Sequence, residues 1–340
     1  MDLFSLTRQL IDLPSTTGQE GAVASFLADH LTSLGYSVEL QPVDGNRSNI
    51  IATTSAPPRI VFSTHMDTVP PHIPSSEDSE NIYGRGSCDA KGIIAAQMFA
   101  ALKLRSLGCD EVGLLFTVDE ELASAGAMLA NSHRLAAECR YLINGEPTDN
   151  RMATGTKGSL RFTISCAGRA AHSAYPEQGE SAIEKLLDIL DEIRATDWPS
   201  DEIFGETTCN IGVISGGARA NVIPASAQAE LQIRLVTPVA RIKEIVERAV
   251  AGRGKVSYSS EHEPVRLFAL DGFETCLPRF TTDIPYLSKW GTPLLIGPGS
   301  IFVAHTDHEM IAKKELIQAV DLYVRLGTTL MAELAAVAIG

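Results

Sequence analysis

No stretch of the 340-residue sequence approaches the roughly 18 uncharged apolar residues of a membrane-spanning helix, so no membrane association is expected. Basic charge is also scarce, with 28 Lys and Arg against 42 Asp and Glu and a formal net charge of −14. Sequence-independent binding to a phosphate backbone draws on clustered Lys and Arg, which excludes nucleic acid as the expected partner. The six cysteines, Cys88, Cys109, Cys139, Cys166, Cys209 and Cys276, form neither a CxxC pair nor a zinc-finger spacing. Reduced thiols, not a disulfide framework, are therefore expected, and with them a cytoplasmic protein. Met1 to Ser5 carry no basic segment leading into an apolar one, which reads as an unexported chain. Low-complexity tracts and repeats of about 20–50 residues are missing, so neither disorder nor a solenoid is indicated.

What is present is an ordinary globular balance, 44% hydrophobic and 21% charged, in a chain long enough for two domains. Val23, Phe26, Leu27, Leu31 and Leu34 recur at helical spacing, with Gly35 as the stop. Four short apolar runs, Ile60 to Phe62, Val112 to Val118, Tyr141 to Ile143 and Leu294 to Ile296, read as strands buried on both faces. Each leads toward a polar residue: His65 and Asp67 after the first, Asp119-Glu120-Glu121 after the second, Glu146 after the third, His305 after the fourth. Helical stretches such as Gly92 to Leu107 alternate with them. The pattern predicts an α/β fold with a mostly parallel sheet flanked by helices, in which ligands collect at the carboxyl ends of the strands.

Between about Gly158 and Val265 the pattern changes. Leu160, Phe162, Ile164 and Cys166 alternate as a half-exposed strand, and Ile183, Leu186, Leu187, Leu190 and Ile193 follow at helical spacing. Asn210 to Ser215, then Ala227, Ala229, Leu231, Ile233 and Leu235, read as two further strands; Ile242 to Ala249 gives a helix and Val256 to Ser260 a last strand. This βαββαβ order is that of a ferredoxin-like domain. Because the fourth sheet run comes after it, the expected organisation is a catalytic domain of residues 1–157 and 267–340 with an inserted domain of residues 158–266.

The chemistry lies in the segments that follow the strands. His65 and Asp67, two apart on an extended chain, point to the same side, where a carboxylate can orient an imidazole ligand. Gly84-Arg85-Gly86-Ser87-Cys88-Asp89-Ala90-Lys91-Gly92 matches neither nucleotide-binding glycine pattern, and it can present Asp89 as a carboxylate that bridges two cations. Adjacent Glu120 and Glu121 repel unless cations or a proton compensate, so one can ligate metal while the other accepts a proton. With Glu146 and His305 the donors are nitrogen and oxygen, which suits zinc, with cobalt or manganese as substitutes.

These segments resemble the dinuclear zinc aminoacylase and carboxypeptidase family, which includes acetylornithine deacetylase, succinyl-diaminopimelate desuccinylase and glutamate carboxypeptidases. The resemblance runs through His65-x-Asp67-x-x-Pro70, Gly84-Arg85-Gly86-x-x-Asp89-x-Lys91-Gly92, Asp119-Glu120-Glu121, Gly145-Glu146-Pro147, Gly168-x-x-x-His172, Asn221-x-x-Pro224, and Gly297-x-Gly299 with His305 and Glu309. It implies two divalent ions: His65, Asp89 and Glu146 on one, and Asp89, Glu121 and His305 on the other. It further implies Glu120 as general base, Asp67 behind His65, His172 as oxyanion donor, and Asn221 with Arg234 as holders of a substrate carboxylate. A homodimer formed through the inserted lid domain is implied as well.

The sequence departs from the family at His308, where an acid is usual, so His308 rivals His305 as ligand. Ser181 replaces the common Asn before the lid helix, and Ser caps a helix equally well. The expected activity is amide hydrolysis of an N-acyl amino acid, most like the acetylornithine and acetyl-lysine deacetylase branch. A dipeptidase or glutamate-type carboxypeptidase acting on short peptides is the alternative. A metal-free binding or regulatory protein on the same fold is the alternative of another class.

Overall fold

The computed structural model describes residues 1–339. The chain folds as two compact units, one of Met1–Thr154, Leu267–Cys276 and Thr282–Gly340, the other of Gly155–Arg266 and Leu277–Thr281. Residues 155–157 thus group with the inserted unit, because Gly155 and Thr156 pair antiparallel with Arg266 and Val265.

The first unit opens with helices α1 (Leu3–Asp12) and α2 (Gly21–Ser33), followed by strands β1 (Ser37–Asp44), β2 (Arg47–Thr53) and β3 (Ile60–His65). Helix α3 (Lys91–Ser106), β4 (Val112–Thr117), α4 (Ala125–Ala130) and β5 (Tyr141–Asn144) complete its first segment. Its sheet runs in the order β1-β2-β4-β3-β5-β10, with β10 (Thr292–Leu295) supplied after the inserted unit. The pairings among β4, β3, β5 and β10 are parallel. The β1–β2 hairpin adds an antiparallel edge that the sequence pattern did not announce, since β1 is largely exposed on both faces and lacks a clean alternation.

β3 and β4 are buried at every residue, as continuous apolar runs under two layers of helix require. Helix α3 is buried almost all round, because α1 and the long α7 (Lys313–Ile339) pack on it. Gly145 permits the close approach of α3 to β5: a Cβ there would sit 2.3 Å from Ile93 Cγ2.

The second unit holds β6 (Gly158–Ala167), α5 (Ala182–Arg194), β7 (Thr208–Gly216), β8 (Ser226–Leu235), α6 (Val239–Val250) and β9 (Lys255–His262). Its antiparallel sheet has the order β7-β8-β6-β9, the ferredoxin-like arrangement. Leu160, Phe162, Ile164, Ala229, Leu231 and Ile233 meet the apolar stripes of α5 and α6 in one core. Ser181 caps α5 by accepting a hydrogen bond from the Glu184 N–H at 3.2 Å. All six cysteines are unpaired. No helix among the described residues is long and apolar enough to cross a membrane.

Candidate metal centre

Parallel β3, β4 and β5 end on one edge of the first unit, and their polar followers meet there. His65 closes β3, Glu120 and Glu121 follow β4 in a tight turn, and Glu146 lies two residues beyond β5. Asp89 stands just ahead of α3, its following peptide cis.

His305 reaches the group by another route than expected. β10 ends at Leu295, and nine residues of irregular chain follow before His305, which adopts a left-handed φ of 62°. The turns let the loop pass directly over Glu146: a Cβ on Gly297 would lie 2.5 Å from the Glu146 carbonyl oxygen.

The two carboxylate oxygens of Asp89 face different partners. Its Oδ1 lies 3.0 Å from His65 Nε2, which is also 3.9 Å from Glu146 Oε2. Its Oδ2 lies 3.3 Å from His305 Nε2, which is 3.0 Å from Glu121 Oε1. Ligand atoms of His65, Asp89 and Glu121 all fall within 4.8 Å of one another. Imidazole nitrogens and carboxylate oxygens in two sets joined by one carboxylate form a donor set that fits divalent cations. His308 is exposed, and its backbone N–H donates to Thr306 Oγ1; the contacts to Asp89 and Glu121 are made by His305.

Asp67 does two things. Its Oδ1 sits 3.5 Å from His65 Nδ1, while the same nitrogen lies 2.9 Å from the Asp67 carbonyl oxygen. Its carboxylate also accepts the backbone N–H groups of Glu120 and Glu121, each at 3.1 Å, and the Thr17 hydroxyl at 2.8 Å. One buried acid thus orients the imidazole and fixes the turn that carries both glutamates. Asp119 makes that turn with a φ of 73°, which Asp tolerates, and Arg47 Nη1 holds its side chain at 2.9 Å.

The electrostatics are those of a site built for positive charge. Burial raises the proton affinity of Glu120, Glu121 and Glu146, and repulsion from neighbouring carboxylates adds to it, Glu146 for Glu120 and Asp89 for the other two. Hydrogen bonds donated by the His305 ring to the Asp89 and Glu121 carboxylates push its pKa up to about 10. Burial opposes the charge on Asp89, but bonds to His305 and His65 outweigh it and hold the carboxyl low. Left to their own charges, these groups draw in protons where cations would otherwise balance them.

Two further features have no role assigned to them from the sequence. Asp283 is buried and accepts the Thr117 hydroxyl at 2.8 Å, and its second oxygen has no hydrogen-bond partner among the described residues. Burial pushes it up to about 6. It is a lone acid in a polar loop, with no motif to mark it. The second is the pairing of Arg85 with Glu309 at 2.7 Å, whose partners stand 224 residues apart.

The remaining expected residues lie in the second unit. His172 bridges to Val222 in antiparallel fashion, and Ser173 N–H donates to the Asn221 carbonyl at 3.1 Å, so His172 and Asn221 are neighbours. Both are exposed. Arg234 is half-buried, opposite Ser159 and Thr208, and burial, with Arg161 nearby, lowers its pKa. It stands eight residues along β8 from Ser226, about 26 Å at the rise of a strand, and Asn221 lies beyond Ser226 on the far side. The expected grip of Asn221 and Arg234 on one carboxylate is therefore not made within one chain, because the length of β8 separates them.

Taken with the donor set, the α/β sheet and inserted antiparallel domain define a metallohydrolase acting on amides. A peptidase dimerisation domain model matches residues 154–255. A peptidase M20 domain-containing protein of Schizosaccharomyces pombe is 37% identical over 344 residues, covering 96% of this chain and 84% of that one. A probable carboxypeptidase of Aspergillus terreus is 39% identical over 368 residues, covering 95% and 85%. Aminopeptidase PepT from Bacillus cereus shares the fold, with a TM-score of 0.77 at 22% identity over 95% of this chain and 96% of that one. The chain belongs to the M20 peptidase family, whose metallopeptidases use divalent metals.

Proposed function

We propose that the protein hydrolyses an amide bond whose leaving amine carries a free α-carboxylate, with two divalent ions, zinc in the first instance, held by His65, Asp89 and Glu146 and by Asp89, Glu121 and His305. The observation that carries this reading is the division of the two Asp89 oxygens between two histidine–glutamate sets. Such ions supply Lewis acidity that polarises the scissile carbonyl and acidifies water. Glu120 accepts the proton of the attacking water and returns it to the leaving amine. Its burial, and after that the nearby Glu146 carboxylate, favour a carboxyl that takes up a proton readily. Asp67 keeps the Glu120 turn and the His65 ring in register.

His172 is assigned to the developing oxyanion as an N–H donor, and Arg234 to the substrate carboxylate, which a guanidinium can fork. Since Asn221 and Arg234 lie at opposite ends of β8, we assign them to different copies of a homodimer formed through the inserted domain. The six unpaired thiols favour a cytoplasmic setting.

An N-acyl amino acid and the C-terminal residue of a short peptide present the same chemical group. Acetylornithine- or acetyl-lysine-type deacetylation is the first reading, and the relatives named carboxypeptidases favour short peptides as the second. A panel of N-acetyl and N-succinyl amino acids and dipeptides, run with metal-loaded and chelated protein, separates them. Metal-dependent hydrolysis of carboxylate-bearing members, and little of their amidated counterparts, is expected. Hydrolysis of none would favour a binding protein on this fold and overturn the reading.

A further inference from the structure

Glu309 is fully enclosed, and its side chain is used up in holding a loop. Oε1 accepts backbone N–H groups from Gly86 at 2.9 Å and from Cys88 and Asp89 at 3.2 Å each. Oε2 accepts Arg85 Nη1 at 2.7 Å. Gly86, at a left-handed φ of 88°, allows three amides so close in sequence to converge on one oxygen.

Arg85, 1% exposed, then reaches onward. The same Nη1 donates to the Thr306 carbonyl at 3.1 Å, and Nε to that of Pro71 at 3.3 Å. Asp89 is the last residue held by the carboxylate, and Thr306 directly follows His305. The pair therefore ties together the two irregular loops whose side chains meet as Asp89 Oδ2 and His305 Nε2, 3.3 Å apart. His65 is different, being set by its strand and Asp67, as Glu121 is by Asp67.

A buried ion pair gains little stability over an apolar pair of similar volume. What it adds here is direction, since a fork and a carboxylate fix distances that an apolar contact would leave loose. We propose that Arg85 and Glu309 are positioning residues that set the Asp89–His305 separation and thereby the affinity for the one cation these two ligands share. This rests on the reading of the cluster as a two-cation centre.

The test is a titration of chelated full-length protein with Co²⁺ and with Zn²⁺, following heat and Co²⁺ absorbance, for wild type, Glu309→Gln and Arg85→Lys. Gln keeps an oxygen toward the three amides but turns an amino group on Arg85. Lys keeps the charge and loses the fork. In both variants the first equivalent should bind as in wild type, and the second should weaken by at least about tenfold, the usual scale for an outer partner of a metal ligand. The kcat should fall at limiting metal with KM little changed, and excess Co²⁺ should restore it. The double variant should be no worse than Glu309→Gln alone.

Two equivalents bound with wild-type affinity in either folded variant would overturn the proposal. So would equal weakening of both equivalents together with a lowered melting temperature, which marks a merely structural pair. Should Glu309→Gln not fold, Arg85→Lys decides alone. Wild-type protein that binds no second equivalent would refute the two-cation reading and this inference with it, and is told apart because the variants play no part in that result.

Discussion

His305 Nε2 lies 3.0 Å from Glu121 Oε1 although 184 residues separate them, and the inserted unit occupies much of that interval. The contact joins a loop after β10 to the turn after β4. It gives the Glu121 side chain a hydrogen-bond partner, which the Glu120 side chain lacks among the described residues, so the two adjacent acids are chemically distinct.

That distinction makes Glu120→Gln informative. Gln keeps the shape of the side chain but cannot take a proton, so kcat should drop by roughly 10²–10⁴-fold, the usual worth of a positioned general base. Metal content measured by elemental analysis should stay at the wild-type level, because Glu120 is not assigned as a ligand. A variant with near wild-type turnover would remove Glu120 from the mechanism.

Most of this centre is legible in the sequence for a geometric reason. Apolar runs buried on both faces belong to parallel strands, and parallel strands deliver whatever follows them to one edge; His65, Glu121 and Glu146 are found that way. His305 is harder, since nine residues of irregular chain lie between its strand and its imidazole, so the strand run points toward it without placing it. Asp283 and the Arg85–Glu309 pair are tertiary contacts without periodicity, which no local pattern encodes. The separation of Asn221 from Arg234 is written in the alternation of Ala227 to Leu235, whose strand length alone keeps them apart.

The same separation yields a prediction about assembly. Arg234→Ala should raise KM for carboxylate substrates by roughly 10–100-fold, the scale of a lost charged hydrogen bond, and leave amidated ones nearly unchanged. If the partner copy supplies Asn221, mixing Asn221→Ala and Arg234→Ala chains under exchange conditions, at substrate far below the raised KM where each alone turns over little, creates dimers with one complete site. Activity should then recover to about a quarter of wild type, half of the dimers being mixed and each carrying one intact site. A mixture no more active than the mean of its components would return both residues to a single chain.

Metal removal should cost stability as well as activity. Glu120, Glu121, Glu146 and Asp89 crowd the same edge, and burial already disfavours the charge of the three glutamates. A cation present at about a hundred times its dissociation constant stabilises the folded state by about 2.7 kcal/mol. Loss of that stabilisation in a protein of this size corresponds to a melting temperature lower by roughly 4 °C. Scanning calorimetry of chelated and Zn²⁺-restored protein at neutral pH reads the difference directly. Asp89→Ala, which takes away the oxygen pair common to both donor sets, should melt near the chelated protein and gain nothing from Zn²⁺. A zinc-dependent rise in that variant as large as in wild type would show that the stabilising cations sit elsewhere.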